Sequence, residues 1–236
     1  SDLAALMKAI YDVDDCGLDQ ISTGNVIGFL MEAYEKKLID RTFLDGIDLT
    51  WGNADAVLEL IRKIAFRQGI GDLASQGVKA LAGRIGGNSA RFAIHSKGHE
   101  LAAWDPHRTI DLAMTYVTAT RGGCHLNSST VRGQNDYAAM DSLGVCMFAT
   151  DGFGKDGLRR LLTMITGTDW TEEEYLKAGE RIFNLERAFN AREGFTRADD
   201  SLPARFFDDP LTTGPGKGAV LKRDDLEKKL TEYYRE

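Results

Sequence analysis

Two stretches of the chain repeat one pattern of chemistry-bearing residues: Asp14-x-x-Gly17-Leu18-Asp19 and Asp141-x-x-Gly144-Val145-Cys146. A carboxylate held at a helix break offers two acceptor oxygens. It matches a ligand edge that presents two parallel N–H donors, such as an amino-pyrimidinone. The glycine admits a flat heterocycle or a second backbone where a Cβ would otherwise stand, and Leu18 or Val145 anchors the turn in the core. Two such turns suit a ligand with two similar halves. The spacing has a plainer reading as well, since Asp at a helix N-cap followed by Gly is a routine connector, and the pattern by itself leaves both open. A second candidate is the loop Arg121-Gly122-Gly123-Cys124-His125. His125 can serve as a general acid or base near neutral pH, and Cys124 beside it suggests a thiol nucleophile. The competing readings are a hydrogen-bonded loop histidine and a buried, inert thiol.

Other chemistries lack their residues. Three cysteines, Cys16, Cys124 and Cys146, show no Cys-x-x-Cys spacing, so the chain cannot build a zinc or iron–sulfur site on its own. Three is also too few for a disulfide framework, which points to a reducing, cytoplasmic compartment. His95, His99 and His107 lie close in sequence without a ligand spacing, and His95 and His99 are expected to flank a solvated turn. No Gly-x-Gly-x-x-Gly or Walker loop supports phosphate binding. A net charge of -7 over 236 residues argues against nucleic-acid partners. No apolar run approaches the ~20 residues of a membrane span. Ser1–Ala5 shows no basic n-region and no apolar h-region, so no signal peptide is expected there.

The elements that must position these residues read as helices. Leu3, Met7, Ile10 and Val13 repeat at helical spacing over Ser1–Asp14, and a second helix runs from Ile21 to about Lys37. Asn53 or Asp55 caps a third, with Val57, Leu60, Ile61 and Ile64 on its apolar stripe and Gly69 as its stop. Asp72 to Ile85 reads as one more helix. The only short strands expected are around Phe92, Ile94 and Leu101. Thr109–Thr120 reads as helix and Ser128–Asn135 as an exposed polar loop. The strongest helix is Thr171–Arg192, opened by a Thr171/Glu174 capping box, with Tyr175, Ala178, Ile182, Leu185 and Phe189 as its buried stripe. Three of the four prolines, Pro203, Pro210 and Pro215, fall in an irregular wrap over Asp199–Gly218, and Asp224–Glu236 forms a charged last helix. The fold class expected is all-α, as two packed helical subdomains with long irregular connections. The boundary is placed so that residues 1–103 carry the first turn and residues 104–236 carry the His loop, the second turn and Cys146.

At these residues the chain resembles the tungsten-containing aldehyde ferredoxin oxidoreductase family, in its C-terminal helical second and third domains only. The resemblance covers nearly the whole chain. It is carried by Asp14-x-x-Gly-Leu-Asp19-x-Ile-Ser-Thr-Gly-Asn25, Gly52-Asn53-Ala54, Ile64-Ala65-Phe66-Arg67-Gln68-Gly69-Ile70-Gly71, Lys97-Gly98-x-Glu100, Trp104-Asp105-Pro106, Thr120-Arg121-Gly122-Gly123-Cys124-His125 and Asp141-x-x-Gly144-Val145-Cys146. Asn184–Gly194 and Asp200-Ser201-Leu202-Pro203-Ala204-Arg205-Phe206 complete it.

The resemblance implies a role for each site residue. Asp14, Gly17, Leu18 and Asp19 would hold one pterin of a tungsten (or molybdenum) bis-pterin cofactor, and Asp141, Gly144, Val145 and Cys146 the other. Cys146 would also supply the fourth thiolate of a 4Fe–4S cluster, and His125 would donate or accept a proton near the metal. The implied reaction oxidises a small aldehyde with water to a carboxylic acid and passes electrons through the cluster to ferredoxin. The family's three other cluster cysteines and its β-rich N-terminal domain lie upstream of the matched region, so the chain is expected to be inactive alone and to need that domain, or a subunit carrying it, as a partner. A homodimer is compatible with the resemblance. Val145 replaces the usual Leu, His107 stands where the family has Arg after Asp-Pro, and the His125–Asp141 segment is short. There is no Glu-x-x-His pattern, so no metal bridging two subunits is expected. Two readings from other classes compete: a helical scaffold or interaction module without a redox centre, and a thiol enzyme using Cys124 and His125.

Overall fold

A computed structural model of the chain describes residues 2–153 and 156–236, with the backbone alone at residue 151. It is mainly α. Helix α1 spans Leu3–Asp15, α2 Gln20–Glu35, α3 Ala54–Ala65, α4 Ile70–Ala74, α5 Gly77–Ile85, α6 Ile110–Thr118, α7 Val131–Ser142, α8 Gly157–Thr166, α9 Glu172–Arg192, α10 Arg205–Asp208 and α11 Arg223–Tyr233. The strands β1 (His95–Ser96) and β2 (His99–Glu100) pair antiparallel, with His95 opposite Glu100 and Ser96 opposite His99. Among the described residues no helix is long and apolar enough to cross a membrane.

Side-chain caps set many of the helix starts. Asp2, Asp19, Asn53, Thr130 and Thr171 each accept from a backbone N–H in the first turn of the helix that follows, each satisfying a donor with no intrahelical partner. At α9 the capping box is complete: Thr171 Oγ1 accepts from Glu174 N at 3.2 Å, and Glu174 Oε2 accepts from Thr171 N at 2.9 Å.

The apolar side chains gather in two clusters. The first is drawn from α1 to α5 and the Ile39–Leu49 loop, with Leu30, Leu44, Leu49, Leu60, Val78 and Leu81 shut off from water. The second surrounds α6, whose Ala113–Thr118 are all buried, and takes in Leu101, Leu202, Phe206, Leu221, Leu226 and Leu230. The β1–β2 hairpin lies between them in sequence and bonds to both sides. Glu100, itself buried, accepts from Val78 N at 2.8 Å at the start of α5. Lys97 pairs with Asp200 and donates to Val117 O at the end of α6. Two further ties join the halves: Asn25 Nδ2 donates to Leu101 O at 2.9 Å, and Arg205 grips both oxygens of Glu32.

Several elements differ from the sequence expectation. The helix expected over Asp72–Ile85 is two, broken at Ser75-Gln76, because Glu100 caps a new start at Val78. Gly69 does not stop α3. That helix ends at Ala65, and Gly69 precedes α4, where Asp45 Oδ2 accepts from Ile70 N at 2.7 Å. Phe92 belongs to a 3-10 turn, Ser89–Phe92, and the strands lie between Ile94 and Leu101. His95 and His99 do flank a turn, but only His99 is exposed; His95 is half-buried and accepts from Gly98 N through Nδ1. The loop expected over Ser128–Asn135 becomes helical at Val131 once Thr130 caps α7, with Gln134 and Ala138 turned inward. On α9 the buried line is Tyr175, Gly179 and Phe183. Leu185 is 72% exposed and Phe189 53%.

Gly179 explains the choice of face. A Cβ there would stand 1.9 Å from Asn135 O, so α7 crosses α9 backbone against backbone at that point. Gly179→Ala should therefore destabilise the fold by about 1–3 kcal/mol, the usual cost of overpacking. A denaturant midpoint equal to that of the parent protein would contradict this packing.

Candidate functional site

The two echoed turns prove to be one device built twice. Asp14 lies in the last turn of α1. Gly17 follows at φ +67°, its N–H donating to Asp14 O at 3.0 Å while Leu18 N donates to Val13 O at 2.9 Å. This pair of bonds closes a helix end around a left-handed residue. Leu18 packs on the first cluster, and Asp19 then caps α2 by accepting from Ser22 N at 2.7 Å. In the second turn Asp141 lies in the last turn of α7. Gly144 sits at φ +70° with its N–H on Asp141 O at 3.0 Å, and Cys146 is the residue from which a 3-10 turn, Met147–Gly152, starts. The first Asp of the pattern therefore closes one helix, and its last residue opens the next. The glycine is needed for its backbone angle: a Cβ at Gly17 or Gly144 would meet nothing within 4 Å.

Asp14, Gly17, Asp19, Asp141, Gly144 and Cys146 are exposed, and Leu18 and Val145 half-buried. One oxygen of Asp14 accepts from Gln20 Nε2 at 2.7 Å, and one of Asp19 is held by Ser22 N. Among the described residues no hydrogen bond engages the Asp141 carboxylate. Each turn thus presents acceptor oxygens at the surface, which is the donor–acceptor complement of an amino-pyrimidinone edge.

His125 lies in the irregular loop 119–130 that joins α6 to α7. Its ring stacks on Trp104, with centroids 6.4 Å apart and planes 16° from parallel. Partial burial, then the nearby Arg121, holds its pKa below the usual 6.5, so the imidazole is neutral at pH 7 and able to take a proton. Cys124 is buried, and its Sγ accepts from Arg121 Nη2 at 2.8 Å and Leu126 N at 3.3 Å. Among the described residues no hydrogen bond joins Cys124 to His125, so the pairing that a thiol nucleophile needs is absent.

A cleft of about 520 Å³ brings Asp141 together with Arg121, Asn127, Leu185 and Phe189. A second cleft of about 720 Å³ is lined by Asn25, Trp104, Asp105 and Arg205. It continues into a groove of about 550 Å³ along the Gln20, Ile21 and Gly24 face of α2, with Trp51 on its wall, just beyond the first turn. None of these cavities contains both turns. The sequence reading missed Trp104, Leu185 and Phe189 as site residues. A glycine in the middle of the strongest helix was the signal that its buried face lay elsewhere, leaving Leu185 and Phe189 for the cleft. His107 bridges Asp105 Oδ1 at 2.6 Å and Asp209 O at 3.1 Å, so that position ties the Asp-Pro segment to the wrap.

The three thiols are free, and among the described residues no group of three His, Cys, Asp or Glu side chains can hold a metal ion. Two of the thiols are exposed, Cys16 and Cys146; Cys146, in the second turn, could give one ligand to a four-cysteine cluster, and the turn carboxylates could give acceptors to pterins. Both fit as parts of sites completed elsewhere.

Comparison with known proteins gives the chain a family. The family model described as aldehyde ferredoxin oxidoreductase, domains 2 & 3, matches residues 1–236. The tungsten-containing aldehyde ferredoxin oxidoreductase of Pyrococcus furiosus is 37% identical over 262 aligned residues, covering 100% of this chain and 42% of that protein. The protein of the same name from Thermococcus kodakarensis is 36% identical with the same coverage. The aliphatic sulfonate oxidoreductase, WOR-like subunit, of P. furiosus is 31% identical over 96% of this chain and 38% of its own length. The chain therefore spans about two fifths of the length of these relatives. Among solved structures, the active-site complex BamBC of benzoyl coenzyme A reductase with 1,5-dienoyl-CoA shares the fold at TM-score 0.66 and 21% identity, over 100% of this chain and 44% of that one. By the match over its whole length, the chain belongs to the aldehyde ferredoxin oxidoreductase family and corresponds to its domains 2 and 3.

Proposed function

We propose that this chain forms the helical part of a tungsten (or molybdenum) bis-pterin oxidoreductase that converts an aldehyde to a carboxylic acid. The observation that carries the reading is the repeated turn, which sets acceptor oxygens at the surface at two sites in a chain of this family. In this reading residues 1–103 and 104–236 are two units, each bringing one turn, and a β-rich N-terminal part supplies the rest of the cofactor's surroundings, in a cytoplasmic protein. When bound, the bis-pterin metal provides the two-electron chemistry and a 4Fe–4S cluster carries the electrons toward ferredoxin.

This chain's residues bind, orient and manage protons. Asp14, Asp19 and Asp141 accept from the N–H edges of the pterins; Gly17 and Gly144 hold the turns open; Leu18 and Val145 fix them to the body. Cys146 offers its thiolate to the cluster. His125, neutral at pH 7 and held flat by Trp104, takes up or releases a proton at its ring nitrogen. The turns are also complete as helix connectors, and that observation favours the second reading, a helical scaffold of the same fold without a redox centre.

Three measurements test these roles. Cys146→Ser in the complete polypeptide should lose cluster iron by metal analysis while keeping its helical circular dichroism; unchanged iron supports the scaffold. Asp141→Asn should weaken pterin-cofactor retention about ten-fold, the scale of one charge-assisted hydrogen bond, and unaltered retention would remove Asp141 from the site. By NMR, His125 should titrate with a midpoint below 6.5. As pH falls through 6.5 the unfolded chain takes up this proton before the folded one, so His125 subtracts from stability on the acid side only. A midpoint at or above 6.5 would show the ring to be free of the burial described.

A further inference from the structure

The His125 loop has no regular structure of its own, yet side chains outside it hold both of its ends. At the first end, Arg187 Nη1 donates to Thr118 O at 3.3 Å, Asn190 Nδ2 donates to Thr120 O, and Thr120 Oγ1 donates to Glu186 Oε2 at 2.6 Å. All three partners stand on α9. One residue then spans the loop. Gln134 is 1% exposed, and its Nε2 donates both to Thr118 Oγ1 at 2.8 Å and to Ser128 O at 2.9 Å. A single amide nitrogen therefore joins the residue before the loop to one near its far end.

That amide is oriented from the last helix. Tyr233 Oη donates to Gln134 Oε1 at 2.6 Å, which obliges the nitrogen to face the loop. Burial pushes the Tyr233 hydroxyl up to about 12, so it remains a donor at ordinary pH. Neighbouring Tyr234 serves a different pair, donating to Asp200 Oδ2 at 2.7 Å and accepting from Arg187 Nη2 at 2.6 Å. A buried amide with all its partners supplied is rigid, and one with a partner removed is costly.

The geometry points to Gln134 as a clasp that closes the His125 loop, with Tyr233 as the residue that orients it; both are positioning residues for His125. The clasp itself stands on these contacts, and its consequence for catalysis rests on the proton role proposed above for His125.

The test reads the loop directly, through carbethoxylation of His125 by diethyl pyrocarbonate in the complete polypeptide. Each histidine is followed by mass spectrometry, with exposed His99 as the internal reference. Tyr233→Phe removes one oxygen, and Gln134→Glu keeps the shape but removes the donors. Each should change the His125-to-His99 rate ratio about three- to ten-fold, the range that one lost hydrogen bond allows. Tyr234→Phe, which leaves Gln134 untouched and reaches the loop only through Arg187, should change the ratio less than Tyr233→Phe does. If Gln134→Glu fails to fold, Tyr233→Phe decides alone. A parent ratio in Tyr233→Phe overturns the clasp, and so does an equal change in Tyr234→Phe, which would mark general loosening. His125→Asn, assayed for aldehyde oxidation in the loaded enzyme, separates the two ideas. Retained activity sinks the proton role and leaves the clasp standing, whereas lost activity with an unmoved ratio sinks the clasp alone.

Discussion

The fold depends on a buried ion pair. Lys97 and Asp200 have side chains 7% and 1% exposed, and charges so placed are tolerable only when each satisfies the other. Burial draws the Lys97 ammonium below its usual range, while Asp200 opposes the shift. Lys97 also donates to Val117 O, and Asp200 accepts from Tyr234, so the pair links the hairpin, the C-terminal end of α6, the irregular wrap and α11. Three residues along, Glu100 turns to the other side and starts α5. A hairpin of two-residue strands thus sends a cation into one cluster and an anion into the other. That is a physical account of the Lys97-Gly98-x-Glu100 motif, which spacing alone could not explain.

Much of the helical body was legible in the sequence. Apolar spacing placed α1 and α2, and the caps Asn53 and Thr171 placed α3 and α9, each start within a residue or two, because both signals are local to the turn they describe. What could not be read was set at a distance. The break between α4 and α5 comes from Glu100, more than twenty residues away. The start of α7 was hidden because its inward face is Gln134, Ala138 and Ala139 rather than a strong apolar stripe. The face of α9 was misjudged because apolar residues were counted as the stripe when the closest contact is made by a glycine.

For the site the balance is different. The echo of Asp-x-x-Gly-aliphatic-(Asp or Cys) was visible, but its meaning as a helix exit joined to a helix entry was not, since the spacing also suits an N-cap. The two readings weighed against each other, connector and ligand turn, are compatible. The backbone amides, the glycine and one oxygen each of Asp14 and Asp19 make the connector, and the remaining carboxylate oxygens are left for other use. His125 and Arg121 were found together in one loop, whereas Trp104 was brought against the His125 ring only by folding.

The closed form of the turns has a consequence for the order of assembly. The amides of Gly17 and Leu18 are already spent on Asp14 O and Val13 O, and that of Gly144 on Asp141 O. A ligand arriving at these carboxylates has no loop to freeze, and binding carries no charge for ordering the backbone. If these turns receive the pterins as proposed, a body whose turns are already closed by its own hydrogen bonds can fold first and be loaded afterwards, so that folding and cofactor insertion become separate events.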